Sequence, residues 1–446
     1  MKYDIIVIGF GKAGKTLAAK AGALGKKVAL IERSPQMYGG TCINIGCIPT
    51  KRLVTAAKEA QFVNNNVEGD YYTLSIQTKD KLITALRAKN LGMLKDNPNI
   101  DVIDGVGYFL DKNSVEILTA DGSKCLIDGD TIVINTGSKE ADAPFEVKSD
   151  IAYTSSEILN LKTLPKHLVI VGNGFIGLEF ASMFAGFGSK VTIIGRGKFM
   201  KNEDDDVANS VKEALIAQGI EILEDCNISS LMGRGLNFSQ GGMSKSIIAD
   251  AFLLAMGRKA VTEGLNLDKV GVKIDEKGNI VVNEFLQTDT PNIYAVGDVR
   301  GGELFTYTSL DDFRIVFDKI FGKGERSTKN RAIHANTLFT QTPLAKVGLS
   351  QKEATALGKD IKILKLSMSA VPGAKVVNHD IGMLKAIVDS KSGEILGAAF
   401  HCIYAHEIIN EVAIAMNFKA NAGFFKNQIF THPSISEALN DLFGQF

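Results

Sequence analysis

The feature that most restricts how this 446-residue chain can fold is an internal duplication. The stretch YDIIVIGFGKAGKTLAAKAGALGKKVALIER (3–33) aligns with KHLVIVGNGFIGLEFASMFAGFGSKVTIIGR (166–196) at a constant offset of 163. Gly9, Gly11 and Gly14 meet Gly172, Gly174 and Gly177; Gly25 meets Gly188 and Val28 meets Val191. Each copy reads as a buried strand, a glycine turn, a helix and a second strand, which is a βαβ unit. In such a turn the first glycine permits the tight bend, the second lets backbone approach a pyrophosphate, and the third lets helix pack on strand. The phosphates then face the N–H groups at the helix start. One such motif is weak evidence of nucleotide binding, but two in matched register predict an α/β chain with two Rossmann-like dinucleotide-binding domains.

The copies differ at the end of their second strand. Glu32 closes that strand in the first copy, where a carboxylate accepts hydrogen bonds from a ribose diol. The aligned residue in the second copy is Gly195, followed by Arg196 and then, two further on, Lys198. Losing the acid and gaining positive charge suits a 2′-phosphate. The first site is therefore expected to hold an adenine dinucleotide lacking that phosphate, and the second to prefer NADPH, with NADH possible.

Between the copies lies GGTCINIGCIPTK (39–51), which holds two of the five cysteines, Cys42 and Cys47. A metal knuckle would want a second short-spaced ligand pair, and none stands out; no resident metal is expected. A structural staple across so short a loop restrains the unfolded chain little. A redox pair remains. Cys125, Cys226 and Cys402 stand alone among apolar residues and read as core. Two nucleotide sites and a dithiol point to an electron relay. Hydride transfer to a disulfide normally needs an intermediary, and flavin is the natural one, so the first site is assigned FAD.

Charge and hydropathy exclude other classes. Lys+Arg and Asp+Glu both number 50, so neither a nucleic acid nor an anionic membrane is expected as a partner. No apolar run approaches the roughly 18 residues of a spanning helix. The opening MKYDIIVIGFGKAG reads as a strand rather than a signal peptide, and a cytoplasmic location is expected.

These segments together resemble the pyridine nucleotide–disulfide oxidoreductases, the group of glutathione reductase, dihydrolipoamide dehydrogenase and mercuric reductase. GGTCINIGCIPTK is similar to the family's redox-active disulfide motif. TPNIYAVGDV (290–299) is similar to its second flavin motif, and INTGS (134–138) to its crossing strand, with Asn135 where alanine is usual. THPSISE (431–437) is similar to the C-terminal HPTxxE motif. The resemblance implies that Cys42 is the interchange thiol and Cys47 the flavin-facing one. It also implies that Lys51 and Glu179 form an ion pair near the flavin, and that His432, held by Glu437, is the acid–base. Gly137 and Asp298 would contact FAD, and Gly257 would belong to the NAD(P) site. In the family His432 and Glu437 serve the other subunit's site, so a homodimer with shared active sites is implied.

The same likeness divides the chain into an FAD domain (1–145), an NAD(P) domain (146–262), a return to the FAD domain (263–330) and a C-terminal α+β dimerisation domain (331–446). A cysteine spacing of five does not suit a regular helix, so a distortion is expected there, with Asn44 and Gly46 supplying freedom. Within the family, GFGKAGKTLA, SLDDFRIV and IFTHPSISEALNDLF resemble RclA-type flavoproteins, linked to reactive chlorine species and hypothiocyanous acid. The chain ends DLFGQF and begins on its first strand, so a mercuric reductase or a large thioredoxin reductase is not expected. The expected acceptor is a small oxidant such as HOSCN; a glutathione- or lipoamide-type disulfide and Cu(II) stay open as alternatives. Phe424, Phe425 and Phe430 are expected either beside the pocket or in interface core.

Overall fold

The apolar run Ile5–Ile8 forms the middle of strand β1 (Lys2–Ile8), and all four side chains are at most 4% exposed. Burial on both faces is what a parallel sheet asks of its central strands, and each such side chain contributes about 1.5–3 kcal/mol. Helix α1 (Lys12–Ala23) and strand β2 (Val28–Glu32) complete the first βαβ unit. Helices α2 (Thr41–Asn44), α3 (Cys47–Ala60) and α4 (Glu68–Lys95) follow, then strands β3 (Ile100–Asp104), β4 (Val106–Phe109), β5 (Ser114–Leu118) and β6 (Lys124–Ile134). The computed structural model describes residues 1–60, 62 and 68–446.

The chain divides into two units: residues 1–52, 75–142 and 257–331 form the first, and residues 53–74, 143–256 and 332–446 the second. In the first, the sheet order is β3-β2-β1-β6-β5-β4, with the strand Ile293–Ala295 also on β6. Pairings among β3, β2, β1, β6 and Ile293–Ala295 are parallel, whereas β4 and β5 form an antiparallel hairpin appended to β6. The register sets Ile8 beside Ile31 and Ile134, which brings three strand ends to one edge.

In the second unit, the second copy of the motif builds a parallel sheet in the order 221–223, 190–194, 167–171, 251–254 and 152–153. Its residues 332–446 carry a separate five-stranded sheet whose pairings are all antiparallel. Leu364, Leu384 and Phe400 from that sheet pack with Ile409, Val412 and Phe443 from C-terminal helices. Among the described residues, no helix is long and apolar enough to cross a membrane.

A buried charge network ties together distant parts of the second unit. Lys385, 1% exposed, reaches Asp204 at 2.9 Å and Asp206 at 2.8 Å. Asp204 also accepts from the backbone N–H groups of Gln351 and Lys352, both at 3.0 Å, and Asp206 pairs with Lys365 at 2.5 Å. Burial opposes ionisation of both carboxyls, but these contacts outweigh it and hold both pKa values below the ordinary range. A depressed folded-state pKa stabilises the fold above the unfolded value, and that contribution is lost as pH falls through the depressed one. Asp204→Ala is expected to cost about 3–5 kcal/mol at pH 7 in urea denaturation, the range for removing one partner of a buried pair. The gap from wild type should narrow as the pH drops below about 4; equal stability at pH 7 would mean the network is neutral.

Candidate active site

The first glycine turn is defined by a close backbone approach. Gly9 has φ +105°, and a Cβ there would collide with the carbonyl oxygen of Asn135 at the end of β6. The Asn135 side chain, 5% exposed, fills the space beside the other two glycines: an added Cβ at Gly11 or Gly14 would lie 2.5 or 2.8 Å from its Oδ1. That Oδ1 accepts from Gly14 N at 2.8 Å, and Nδ2 donates to the Val296 carbonyl at 2.9 Å. Asn135 thus ties the glycine turn to the segment carrying Asp298.

Glu32 ends β2 and is 7% exposed, accepting from Phe10 N at 3.0 Å and Ser34 N at 3.1 Å. Burial pushes its pKa up against those N–H groups. A cradle of glycines beside a buried acid fits a dinucleotide: the backbone supplies N–H groups for phosphate, and the carboxylate supplies acceptors for a diol. Asp298 accepts from Ser138 Oγ at 2.6 Å, and Gly137 lies just after β6. The turn at Gly297 is held by fully buried Asp312, which accepts from Gly297 N at 2.8 Å and from Arg300 at 2.7 Å and also pairs with Arg331.

The second turn repeats the plan. A Cβ at Gly172 would collide with the Ala255 carbonyl, and Gly174 caps the helix Phe175–Gly186. Gly177 lies in that helix, with Glu179, 6% exposed, accepting from Phe339 N at 3.0 Å. A Cβ at Gly195 would lie 2.5 Å from Asn173 Nδ2. That amide instead donates to the carbonyls of Gly197 at 3.2 Å and Lys198 at 3.3 Å, shaping a turn on which Arg196 and Lys198 are exposed. Gly257 follows the strand Ala251–Leu254 by three residues.

Cys42 lies in α2 and Cys47 opens α3, so a break separates them. It falls at Ile45 (φ −140°, ψ 7°) and Gly46. Asn44 does not supply freedom, contrary to expectation: its buried amide donates to the carbonyls of Tyr38 at 3.0 Å and Gly40 at 2.9 Å, clamping the loop. The two thiols are in contact, and hydrogen bonding to Cys47, followed by burial, raises the pKa of Cys42; Thr306 and Lys15 pull it the other way. Cys47 Sγ lies 3.5 Å from Thr306 Oγ1. Lys51 sits one turn further along α3, half-buried.

Near the C-terminus, the side chain of His432 is 73% exposed, and its Nδ1 lies 2.7 Å from Glu437 Oε2. The carboxylate can only accept, so Nδ1 carries the proton and Nε2 is left for exchange. Phe425 is core, 1% exposed and stacked on Phe443 at 4.9 Å. With Phe424, Phe430, Phe418 and Ile414 it lines an apolar hollow of about 470 Å³.

This arrangement has known counterparts. The pyridine nucleotide-disulphide oxidoreductase family matches residues 3–314, and that family's dimerisation domain matches residues 334–443. The chain belongs to this family. It is 44% identical over 447 residues to a probable pyridine nucleotide-disulfide oxidoreductase, RclA, of Escherichia coli, covering 99% of each. A structure of that species' HOCl-induced flavoprotein disulfide reductase RclA, a Cu(II) complex, superposes with TM-score 0.94 at 42% identity, covering 100% of this chain and 99% of the other. A mercuric reductase of Lysinibacillus sphaericus is 33% identical, covering 93% of this chain and 77% of its own length. The protein is accordingly an oxidoreductase of an FAD- and pyridine nucleotide-dependent family.

Sequence reasoning missed Asn135, Asp312 and Thr306 as parts of the site. For Asn135 a signal was present, namely its departure from the family's usual alanine. Asn135→Ala removes the acceptor of the Gly14 N–H and is expected to cost about 1–3 kcal/mol, read by denaturation of the flavin-loaded protein. No loss would mean another group satisfies that N–H.

Proposed function

We propose that the protein uses NADPH to reduce a small neutral oxidant, hypothiocyanous acid, through the Cys42–Cys47 pair. The observation that carries this reading is the contact between the two thiols, one of them at the start of a helix, where negative charge is favoured. Likeness to a HOCl-induced reductase supports the choice of oxidant. The bound flavin and nicotinamide supply the hydride chemistry that returns the pair to the dithiol. Lys51, one turn beyond Cys47 on α3, and Glu179 are each assigned to the surroundings of the bound cofactors.

The thiolate of Cys42 attacks the sulfur of HOSCN, and His432 gives a proton to the departing hydroxide, which leaves as water. Cys47 then attacks the Cys42 sulfur, expelling thiocyanate and forming the disulfide. Two electrons pass, so one thiocyanate appears per NADPH consumed. Glu437 fixes the ring of His432 through its Nδ1. The exposure of His432 agrees with a role across a homodimer, as the family resemblance implies.

A second reading, Cu(II) reduction by the same dithiol, is favoured by the Cu(II) complex of the E. coli relative. NADPH consumption against HOSCN, glutathione disulfide, lipoamide and Cu(II) separates the readings. We expect kcat/KM for HOSCN to exceed that for either disulfide by at least about a hundred-fold, or about 2.7 kcal/mol. Comparable turnover of glutathione disulfide or lipoamide would return the protein to the general disulfide reductases.

For the nucleotide, the exposed Arg196 beside Gly195 is assigned to the 2′-phosphate. A charge-assisted contact of about 1.5–3 kcal/mol gives roughly ten- to a hundred-fold preference for NADPH in kcat/KM. Arg196→Ala should remove most of it; equal use of NADH by the wild type would show that Arg196 faces only solvent.

A further inference from the structure

One buried cation whose charge acts on Cys42 has no role in the scheme above. Lys15 follows Gly14 in α1, and its side chain is 4% exposed. Its Nζ donates to the Gly39 carbonyl at 3.3 Å and to Asn90 Oδ1 on α4, both neutral. Among the described residues no carboxylate pairs with it; the charged or titratable groups acting on it are Lys12, of like sign, and Cys42. Burial lowers its pKa to about 8, and Cys42 opposes that shift. An ammonium buried without an anion is unfavourable, so its surroundings favour whichever neighbour can become one.

The loop in front of Lys15 is fixed on both sides. A Cβ at Gly40 would lie 2.8 Å from Gly11 Cα, so the loop presses on the glycine turn. From α4, Asn90 meets Lys15, while Arg87 donates to Asn44 Oδ1 at 2.9 Å and also bonds Gln36. Cys42 follows Gly39 by three residues, so the Lys15 ammonium is bonded to the loop that carries the thiol; Lys15 and Thr306 favour the ionised form of Cys42, while Cys47 and burial oppose it.

We propose that Lys15 is a positioning residue for the interchange thiol: its ammonium, anchored on Gly39 and Asn90 beside the loop that carries Cys42, favours the thiolate of Cys42 over its thiol, against the burial and the Cys47 contact that oppose it. This rests on the assignment of Cys42 as the attacking sulfur. The competing anion is the dinucleotide's pyrophosphate at the start of α1, and the test separates the two.

The flavin-loaded enzyme is reduced with dithionite and alkylated with iodoacetamide across pH 5–9, and the labelled cysteine is read by peptide mass spectrometry. Wild type should label at Cys42. In Lys15→Met the midpoint of the pH profile should rise by at least about one unit with flavin retained, and Lys15→Arg should restore it. Asn90→Asp leaves Lys15 in place but gives it a carboxylate, and should also raise the midpoint. An unchanged midpoint in both Lys15→Met and Asn90→Asp overturns the proposal. Flavin loss in Lys15→Met with a wild-type midpoint in Asn90→Asp assigns the ammonium to the pyrophosphate and overturns it equally. Labelling at Cys47 instead of Cys42 overturns the thiol assignment itself, and this inference with it.

Discussion

The first glycine turn depends on the absence of one atom, the Cβ of residue 9, where the end of β1 passes over the carbonyl of Asn135. That approach lets β1 and β6 end together, and it brings the Asn135 amide within reach of both Gly14 and Val296. Through Val296 the same amide orders the turn at Gly297, whose N–H is held by Asp312. Through Gly11 the turn becomes the surface on which the Gly39–Gly40 loop lies. The second copy makes the same backbone approach to Ala255, which has no amide with which to bridge. The duplication therefore repeats a backbone solution, and the side chains around each copy have diverged.

Charge inside this electrically balanced chain is distributed unevenly. Asp312 is shared by Arg300 and Arg331, and Lys385 by Asp204 and Asp206; in both places the buried charge meets several partners. Such arrangements offset the cost of desolvation with fixed geometry. Lys15 follows the opposite rule, with neutral acceptors and a thiol. Those networks pair each buried charge with opposite ones, whereas Lys15 is bonded only to neutral groups in the loop before Cys42 and on α4.

Much of the fold was legible because its signals are local and periodic. Glycine spacing, two apolar strand runs and the change from Glu32 to Gly195 lie within short windows, and the mixed α/β fold follows from them, whereas the dimerisation domain came with the family resemblance. The cysteine pair was visible for the same reason. What escaped depends on separations that no window spans: Asn135 acts on Gly14 and Val296, and Lys385 on Asp204. Lys15 looks like an ordinary helix lysine until the loop at Gly39 covers it. The helix break was anticipated, but Asn44 was misjudged, because a residue that tolerates unusual backbone can equally lock it with its amide. Phe424 and Phe425 are adjacent in sequence yet one is half exposed and the other core, which follows from helix direction rather than composition.

The amide of Asn173 has a consequence for how the turn at Gly195 could change over time. Any side chain at position 195 must displace that amide and release the carbonyls of Gly197 and Lys198. An acid placed at 195 alone therefore meets space that the Asn173 amide fills, while shortening Asn173 alone loosens the turn without adding an acid. The two positions are epistatic. The present form of the turn is therefore held jointly by one glycine and one amide, and a carboxylate enters it only together with a change at 173.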